Sequence, residues 1–161
     1  MLALPPMARC TRALVAVALV TSACGGDDSS AGDAGPDAIS PTCMEATQHS
    51  DLTWIQDKIF QPSCAGFRDC HQGAAVDAAH LSLERGQSHP QLVGIDSELF
   101  PAFKRVVPND AAASYLMISI GAYPGPLKEG VGTMPYNSPL LCKEKRDAIE
   151  RWIMAGAPPE M

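Results

Sequence analysis

Two cysteines and a histidine lie close together in the stretch CAGFRDCH at 64–71. Thiolates form covalent bonds and bind metals, and a neutral imidazole binds a metal through one ring nitrogen. A disulfide between Cys64 and Cys70 would close a short loop and leave His71 at the surface, stabilising the domain by restricting the unfolded chain. A zinc ion bound by these three residues would need a fourth ligand, and the sequence offers none at a suitable spacing.

The cysteine–histidine pair at 70–71, with Cys64 upstream, resembles the attachment motif of c-type haem. In that motif two thiols add to the vinyl groups on one edge of the porphyrin, and the adjacent histidine binds the iron. The usual motif has two residues between its cysteines, whereas five separate Cys64 from Cys70. Since the second cysteine and the histidine are intact, the pattern indicates a haem site in which the longer insert bulges outward.

Short helices and long loops must position this motif. Apolar spacing predicts a helix over 51–60 that Pro62 ends, a short helix ending at Leu92–Val93, and a helix over 111–120. A further helix over 142–155 has one apolar stripe, formed by Ala148, Ile149, Trp152 and Ile153. Residues 121–139 contain four glycines and four prolines, a density that excludes a regular element. No segment shows the sustained alternation of a strand.

The remaining methionines and histidines of these segments have ordinary interpretations. Met117 and Met154 fall on predicted helices, so we expect both in the core. We expect His49, His80 and His89 to face solvent. If a haem is bound, His80 or His89 is a minor alternative to Met134 as the sixth iron ligand.

The order of the motifs over about 52–158 resembles the loop-rich form of the cytochrome c domain, common in bacterial surface lipoproteins. The matching features are IFQPSCAG at the end of the first helix, the Cys70-His71 pair, LSL at 81–83, RVVPNDAAASYL at 105–116, Met134-Pro135 and RDAIERWIMAGAP at 146–158. This resemblance implies an all-α, cytochrome c-like fold, with short helices and long loops around one haem site.

The resemblance also implies roles for individual residues. Cys64 and Cys70 would attach haem c, His71 would be the proximal iron ligand and Met134 the distal one. A histidine–methionine pair raises the reduction potential of the iron, which suits electron transfer. The family fold brings the start of its first helix near the start of its last, so a disulfide between Cys43 and Cys142 is expected whether or not haem is attached.

The N-terminal segment has the order of a secretory signal. Arg9 and Arg12 precede an apolar run at 13–20 that is too short to span a bilayer, and small residues follow. Cys24 then resembles the lipid-bearing cysteine of bacterial lipoproteins, and Gly25 after it favours the outer membrane in that family. Ordinary signal cleavage, with Cys24 an incidental thiol, is the alternative.

The chain of 161 residues therefore divides into a signal peptide at 1–23, a flexible acidic tether at 24–42 and a domain at 43–161. The tether is rich in Gly, Ser, Ala, Asp and Pro and has too few apolar side chains to fold. The net charge of −6 argues against nucleic acid as a partner, because phosphate binding needs a basic surface.

Together these patterns predict a lipid-anchored, single-haem c-type cytochrome-like protein of the cell envelope. It would carry electrons between redox partner proteins in the periplasm or at the cell surface, and it would not be an enzyme. The alternative is a haem-free, disulfide-stapled domain acting as a surface binding or structural lipoprotein. The five-residue spacing between Cys64 and Cys70 favours that alternative.

Overall fold

A computed structural model of the chain describes residues 39–66 and 70–161. The predicted signal peptide, Cys24 and the predicted tether up to residue 38 lie outside the described residues. The first helix begins at Pro41, where the Ser40 hydroxyl accepts a hydrogen bond from the Cys43 backbone N–H. Residues 41 and 42, which were predicted to be part of the tether, therefore belong to a helix.

The described residues form six short α-helices joined by long loops. They are α1 (Pro41–Ala46), α2 (Leu52–Ile55), α3 (Gln61–Ser63), α4 (Ser88–Leu92), α5 (Tyr115–Ser119) and α6 (Lys143–Met154). A π-helical turn, Gln56–Phe60, joins α2 to α3, and a single 3₁₀ turn spans Val76–Ala78. Within this part of the chain, none of the helices has the length and hydrophobicity needed to cross a membrane.

The predicted helix over 51–60 is present, and it continues beyond Pro62. Asp51 caps its start, because one carboxylate oxygen accepts a hydrogen bond of 2.8 Å from the Trp54 N–H. The π turn hydrogen-bonds Gln61 N–H to the Gln56 carbonyl, one residue farther back than in an α-helix. We attribute the continuation to this wider turn, which gives room to the ring of Pro62 and lets the helix end at Ser63.

Helix α6 confirms the helix predicted over 142–155 and forms the centre of the core. Its apolar stripe is completely buried, with Ala148, Ile149, Trp152 and Ile153 all 0% exposed. It packs against α1, α2 and α5. Arg151 on α6 donates hydrogen bonds to the backbone carbonyls of Ala46 and His49, which fixes the end of α1 against it.

The disulfide between Cys43 and Cys142 is present and covalently joins α1 to the residue that precedes α6. Its two Cα atoms are 6.3 Å apart, and the cysteines are separated by 99 positions in sequence. The pairing is the one that the resemblance implied.

The prediction of an all-α, cytochrome c-like fold is wrong. Helices account for 36% of the described residues and extended residues for 6%, and most of this part of the chain is loop. The predicted helix over 111–120 shrinks to α5, because the preceding residues pair with other segments instead. Isolated β-bridges connect Val93 with Val106 and Lys104 with Ser114, and the Ser114 hydroxyl accepts a hydrogen bond from the Val107 N–H.

The two methionines that were predicted to lie in the core differ in their exposure to solvent. Met117 on α5 is completely buried, as predicted. Met154 is 53% exposed, so its prediction is wrong. The reason is its position as the last residue of α6, directly after the buried pair Trp152 and Ile153 and outside the apolar stripe.

Candidate functional site

A backbone hydrogen bond closes the motif at 64–71. Cys64 follows α3, and its N–H donates to the carbonyl of Phe60 over 2.9 Å. The carbonyl of Cys64 in turn accepts from the N–H of His71 over 3.1 Å. His71 and Cys64 therefore lie next to each other, although five residues separate Cys64 from Cys70 in sequence.

The imidazole of His71 has a defined orientation. Its Nδ1 lies 2.8 Å from the carbonyl oxygen of Leu81, and because a carbonyl only accepts, Nδ1 must bear the hydrogen. The His71 carbonyl also accepts from the N–H of Leu83 over 2.9 Å, so the 81–83 segment contacts this residue twice. Nε2 then has the lone pair, and among the described residues it has no hydrogen-bond partner.

The surroundings of His71 also favour its neutral form. Burial lowers its pKa below the ordinary value, and the positive charge of Arg105 lowers it further, while the bond to Leu81 acts in the opposite direction. A neutral imidazole whose Nδ1–H is held by a backbone carbonyl is the arrangement found at metal-binding histidines. The structure therefore leaves the Nε2 lone pair of a neutral His71 unused among the described residues.

Cys64 and Cys70 are both free thiols in the structure, and both are partly buried. Cys64 packs against the hydrophobic core. Burial, together with the nearby Cys70, raises the pKa of Cys64 to about 12. Its thiol is therefore protonated across the physiological pH range, and it is a poor nucleophile in the folded protein.

Iodoacetamide is expected to alkylate Cys64 about 1,000-fold more slowly in the native protein than in the urea-unfolded chain, because a pKa of about 12 in place of 9.0 reduces the thiolate population by that factor. Mass spectrometry of the peptide that contains Cys64, in a Cys70→Ser variant at mildly alkaline pH, would follow this thiol separately from Cys10 and Cys24. Equal rates in the folded and unfolded chains would show that Cys64 is not buried in this way.

The donor atoms of the motif do not converge on a single point. A tetrahedral zinc ion requires donors about 2.0–2.3 Å from the metal, and hence about 3.3–3.8 Å from one another. The set of possible ligands found within 4.8 Å of one another among the described residues is Cys43, Cys142 and Glu144. The two sulfurs of that set form a disulfide and offer no thiolate, so this cluster is not a zinc site.

Covalent haem attachment would make a different demand on these three side chains than a bare ion does. In haem c the two thiols bond to carbon atoms at the porphyrin edge, while the imidazole binds iron at the ring centre. The three donors therefore need not meet. Cys64 and Cys70 are free thiols, and the Nε2 lone pair of His71 is unused. The groups that such an attachment would use are therefore present.

Met134 lies in the loop between α5 and α6. Its N–H donates to the carbonyl of Ser119 over 2.7 Å, and its partly buried side chain packs against the same core as Cys64. A surface cavity of about 320 Å³ lies beside both residues, since Ser63 and Pro135 line it. The disulfide and Lys145 also line this cavity, and none of Cys64, Cys70, His71 and Met134 does. The role of Met134 as a distal ligand stays a prediction.

The other histidines are less exposed than expected, with one exception. His49 is partly buried, stacks on Trp54 with the ring centres 4.6 Å apart, and bonds Asp51. His89 donates from Nε2 to the carbonyl of Ala157 over 3.0 Å. His80 is exposed as predicted, and it pairs with Glu98 at 2.9 Å.

Sequence reasoning missed one residue near the motif. Gln56 is 0% exposed and donates from Nε2 to the Leu83 carbonyl over 2.7 Å, beside the segment that contacts His71. The signal was available, because Gln56 falls four residues after Leu52 and three before Ile59, on the apolar face of its helix. An amide on a buried face needs polar partners and so indicates a specific contact.

Comparison of the chain with protein-family models, with curated proteins and with solved structures finds no match. A function is therefore inferred from the motif, its hydrogen bonds and its electrostatics.

Proposed function

We propose that Cys64, Cys70 and His71 attach one haem c covalently and that the protein transfers electrons at the cell envelope. The observation that carries this proposal is the orientation of His71, whose Nδ1–H bonds the Leu81 carbonyl and leaves Nε2 available. The hydrogen bond between His71 N–H and the Cys64 carbonyl supports it as well, because it keeps the two ends of the unusually long motif together.

Each residue has a separate task in the proposed site. The two thiols would attach the porphyrin, and His71 would bind the iron through Nε2 while the Leu81 carbonyl holds its ring in place. Met134 would be the second protein ligand, and a histidine–methionine pair raises the reduction potential. The bound haem supplies an iron that cycles between two oxidation states. No substrate bond is broken, so the protein acts as an electron carrier rather than an enzyme.

The cellular setting is part of the same proposal. Lipid on Cys24 anchors the protein, more readily in the outer than the inner membrane, and the tether allows the domain to meet redox partner proteins in the periplasm or at the surface. The acidic composition of the chain supports protein partners rather than nucleic acid.

A haem-free binding or structural role at the cell surface is the second candidate. The disulfide between Cys43 and Cys142 favours it to a small degree, because a cross-link spanning 99 positions stabilises a loop-rich domain without any cofactor. The five residues between Cys64 and Cys70 favour it as well.

Purification from cells that mature c-type cytochromes tests the two candidates. The wild-type chain is expected to give a reduced pyridine haemochrome band and a mass increased by one haem. We expect His71→Ala and Cys70→Ser to lose most of the bound haem, because they remove the iron ligand and one attachment point. Met134→Ala should keep the haem and lose the weak sulfur-to-iron band at long wavelength.

His80→Ala is the matched control, since it removes an exposed histidine that bonds only Glu98 among the described residues. It should retain haem at the wild-type level. A wild-type chain with no haem band, and with a mass showing Cys64 and Cys70 oxidised, would replace electron transfer by the haem-free alternative.

A further inference from the structure

The orientation of His71 depends on a segment that has no regular structure of its own. Residues 81–83 lie between the 3₁₀ turn and α4 and belong to no helix. This segment accepts the His71 Nδ1–H at Leu81 and donates the Leu83 N–H to the His71 carbonyl. The imidazole is therefore fixed only as firmly as other residues fix this segment.

Gln91 holds the segment directly from its outer side, and Arg105 supports it indirectly. The side-chain oxygen of Gln91 accepts from the Ser82 N–H over 2.7 Å. The guanidinium of Arg105 donates to the carbonyls of Ala79 and Gln91, which flank the segment, over 2.8 and 3.0 Å. Both side chains are partly exposed, so water can replace these bonds at modest cost.

Gln56 holds the segment from its buried side. Its Nε2 donates to the Leu83 carbonyl over 2.7 Å, and its Oε1 accepts from the hydroxyl of Ser88 over 2.7 Å. Gln56 is 0% exposed and Ser88 is 1% exposed, so water cannot replace either bond. Gln56 begins the π turn, and Ser88 begins α4, so this pair links two helices to the 81–83 segment.

A buried amide at this point is not needed for packing. The neighbouring positions on the same helix face, Leu52, Ile55 and Ile59, are apolar and completely or almost completely buried. An apolar side chain at position 56 would extend that face without a polar group to satisfy. The glutamine instead specifies the position of the Leu83 carbonyl, two residues from the carbonyl that holds His71.

We propose that Gln56 is a positioning residue for His71, which holds residues 81–83 so that Nδ1 stays bonded to Leu81 and Nε2 stays available. Ser88 acts through Gln56 by fixing the rotation of its amide. The identity of the group that Nε2 binds rests on the proposed function. The position of the ring hydrogen does not, because it is a property of the chain alone.

The tautomer of His71 in the haem-free full chain is the direct readout. Long-range proton–nitrogen NMR spectra, recorded well above the ordinary imidazole pKa of about 6.5, distinguish hydrogen at Nδ1 from hydrogen at Nε2. In the wild-type chain we expect His71 almost entirely in the Nδ1–H form. In Gln56→Met, which keeps the length of the side chain and loses both bonds, we expect a mixture with at least half of that preference lost.

Two controls separate positioning from general destabilisation. Ser114→Ala removes a completely buried serine whose bonds go to Val107 and Asp110, so it should lower stability and leave the His71 tautomer unchanged. His89 provides an internal reference, because its Nε2 bonds the Ala157 carbonyl and its ring should show the opposite tautomer in every variant.

Ser88→Ala tests the same proposal if Gln56→Met does not fold, and it should shift the His71 tautomer in the same direction by a smaller amount. A His71 ring that remains in the Nδ1–H form in whichever of these variants folds, while stability falls, would overturn the proposal. Failure of the wild-type chain to bind haem would overturn the proposed function and leave this result standing. Haem binding by the wild-type chain, with an unchanged His71 tautomer in the Gln56 and Ser88 variants, would support the proposed function and overturn the positioning role of Gln56.

Discussion

Replacing Cys43 and Cys142 together by alanine is expected to lower the free energy of unfolding by about 4–5 kcal/mol. The disulfide closes a loop of 99 positions, and a cross-link of that span removes a large part of the conformational freedom of the unfolded chain. Since single domains are stable by about 5–15 kcal/mol, the loss would be a large share of the total. Urea unfolding followed by tryptophan fluorescence measures it.

The stability of chains with and without the disulfide is best compared in a variant whose predicted domain contains no other thiols. A Cys64→Ser, Cys70→Ser background leaves Cys43 and Cys142 as the cysteines of the predicted domain, so reduction with dithiothreitol should reproduce the effect of the double alanine variant. If both treatments lowered the unfolding free energy by less than about 1 kcal/mol, the link between α1 and α6 would have no stabilising role of the size that its span implies.

Replacing Trp152 by alanine is expected to lower the free energy of unfolding by about 3–5 kcal/mol. Trp152 has the largest completely buried side chain among the described residues, and it lies on α6 where this helix packs against the rest of the core. The substitution leaves a cavity and removes the hydrogen bond from the indole Nε1 to the Pro158 carbonyl, which is 2.8 Å long. Urea unfolding followed by circular dichroism measures the change without depending on tryptophan fluorescence.

Met154 provides a control on the same helix. Its side chain is 53% exposed, so Met154→Ala should change the unfolding free energy by about 0.5 kcal/mol or less. Trp152→Phe should lower the unfolding free energy by an amount between those of Trp152→Ala and Met154→Ala. It keeps most of the buried aromatic ring and loses the hydrogen bond to Pro158. A Trp152→Ala chain as stable as Met154→Ala would mean that α6 does not form the centre of the core.

Helix α6 could be predicted because its information is local. Four apolar positions at helical spacing, with charged residues between them, define both the helix and its buried face. Helix α1 could not be found in this way. It has six residues, of which only Cys43 and Ala46 are buried, and such a short segment shows no periodic pattern.

The fold class was predicted wrongly for a related reason. The residues before α5 are compatible with a helix by composition, yet Lys104 pairs with Ser114 and the Ser114 hydroxyl bonds the backbone of Val107 and Asp110. These contacts span four to ten positions and fold the backbone of this segment back on itself in place of a helix. Local propensity is a weak prior beside such contacts, so the resemblance overstated the helical content of the domain.

The candidate site divides in the same way between sequence and structure. The sequence by itself determined which groups are present at 64–71, namely two thiols and an imidazole, and it determined the helix that forms the centre of the core. Only the tertiary structure decided which nitrogen of His71 is available, because that depends on the Leu81 carbonyl ten residues away. It also assigned Gln56 a contact with Leu83, since a hydrogen bond across 27 positions exists only once the loops have folded against the helix.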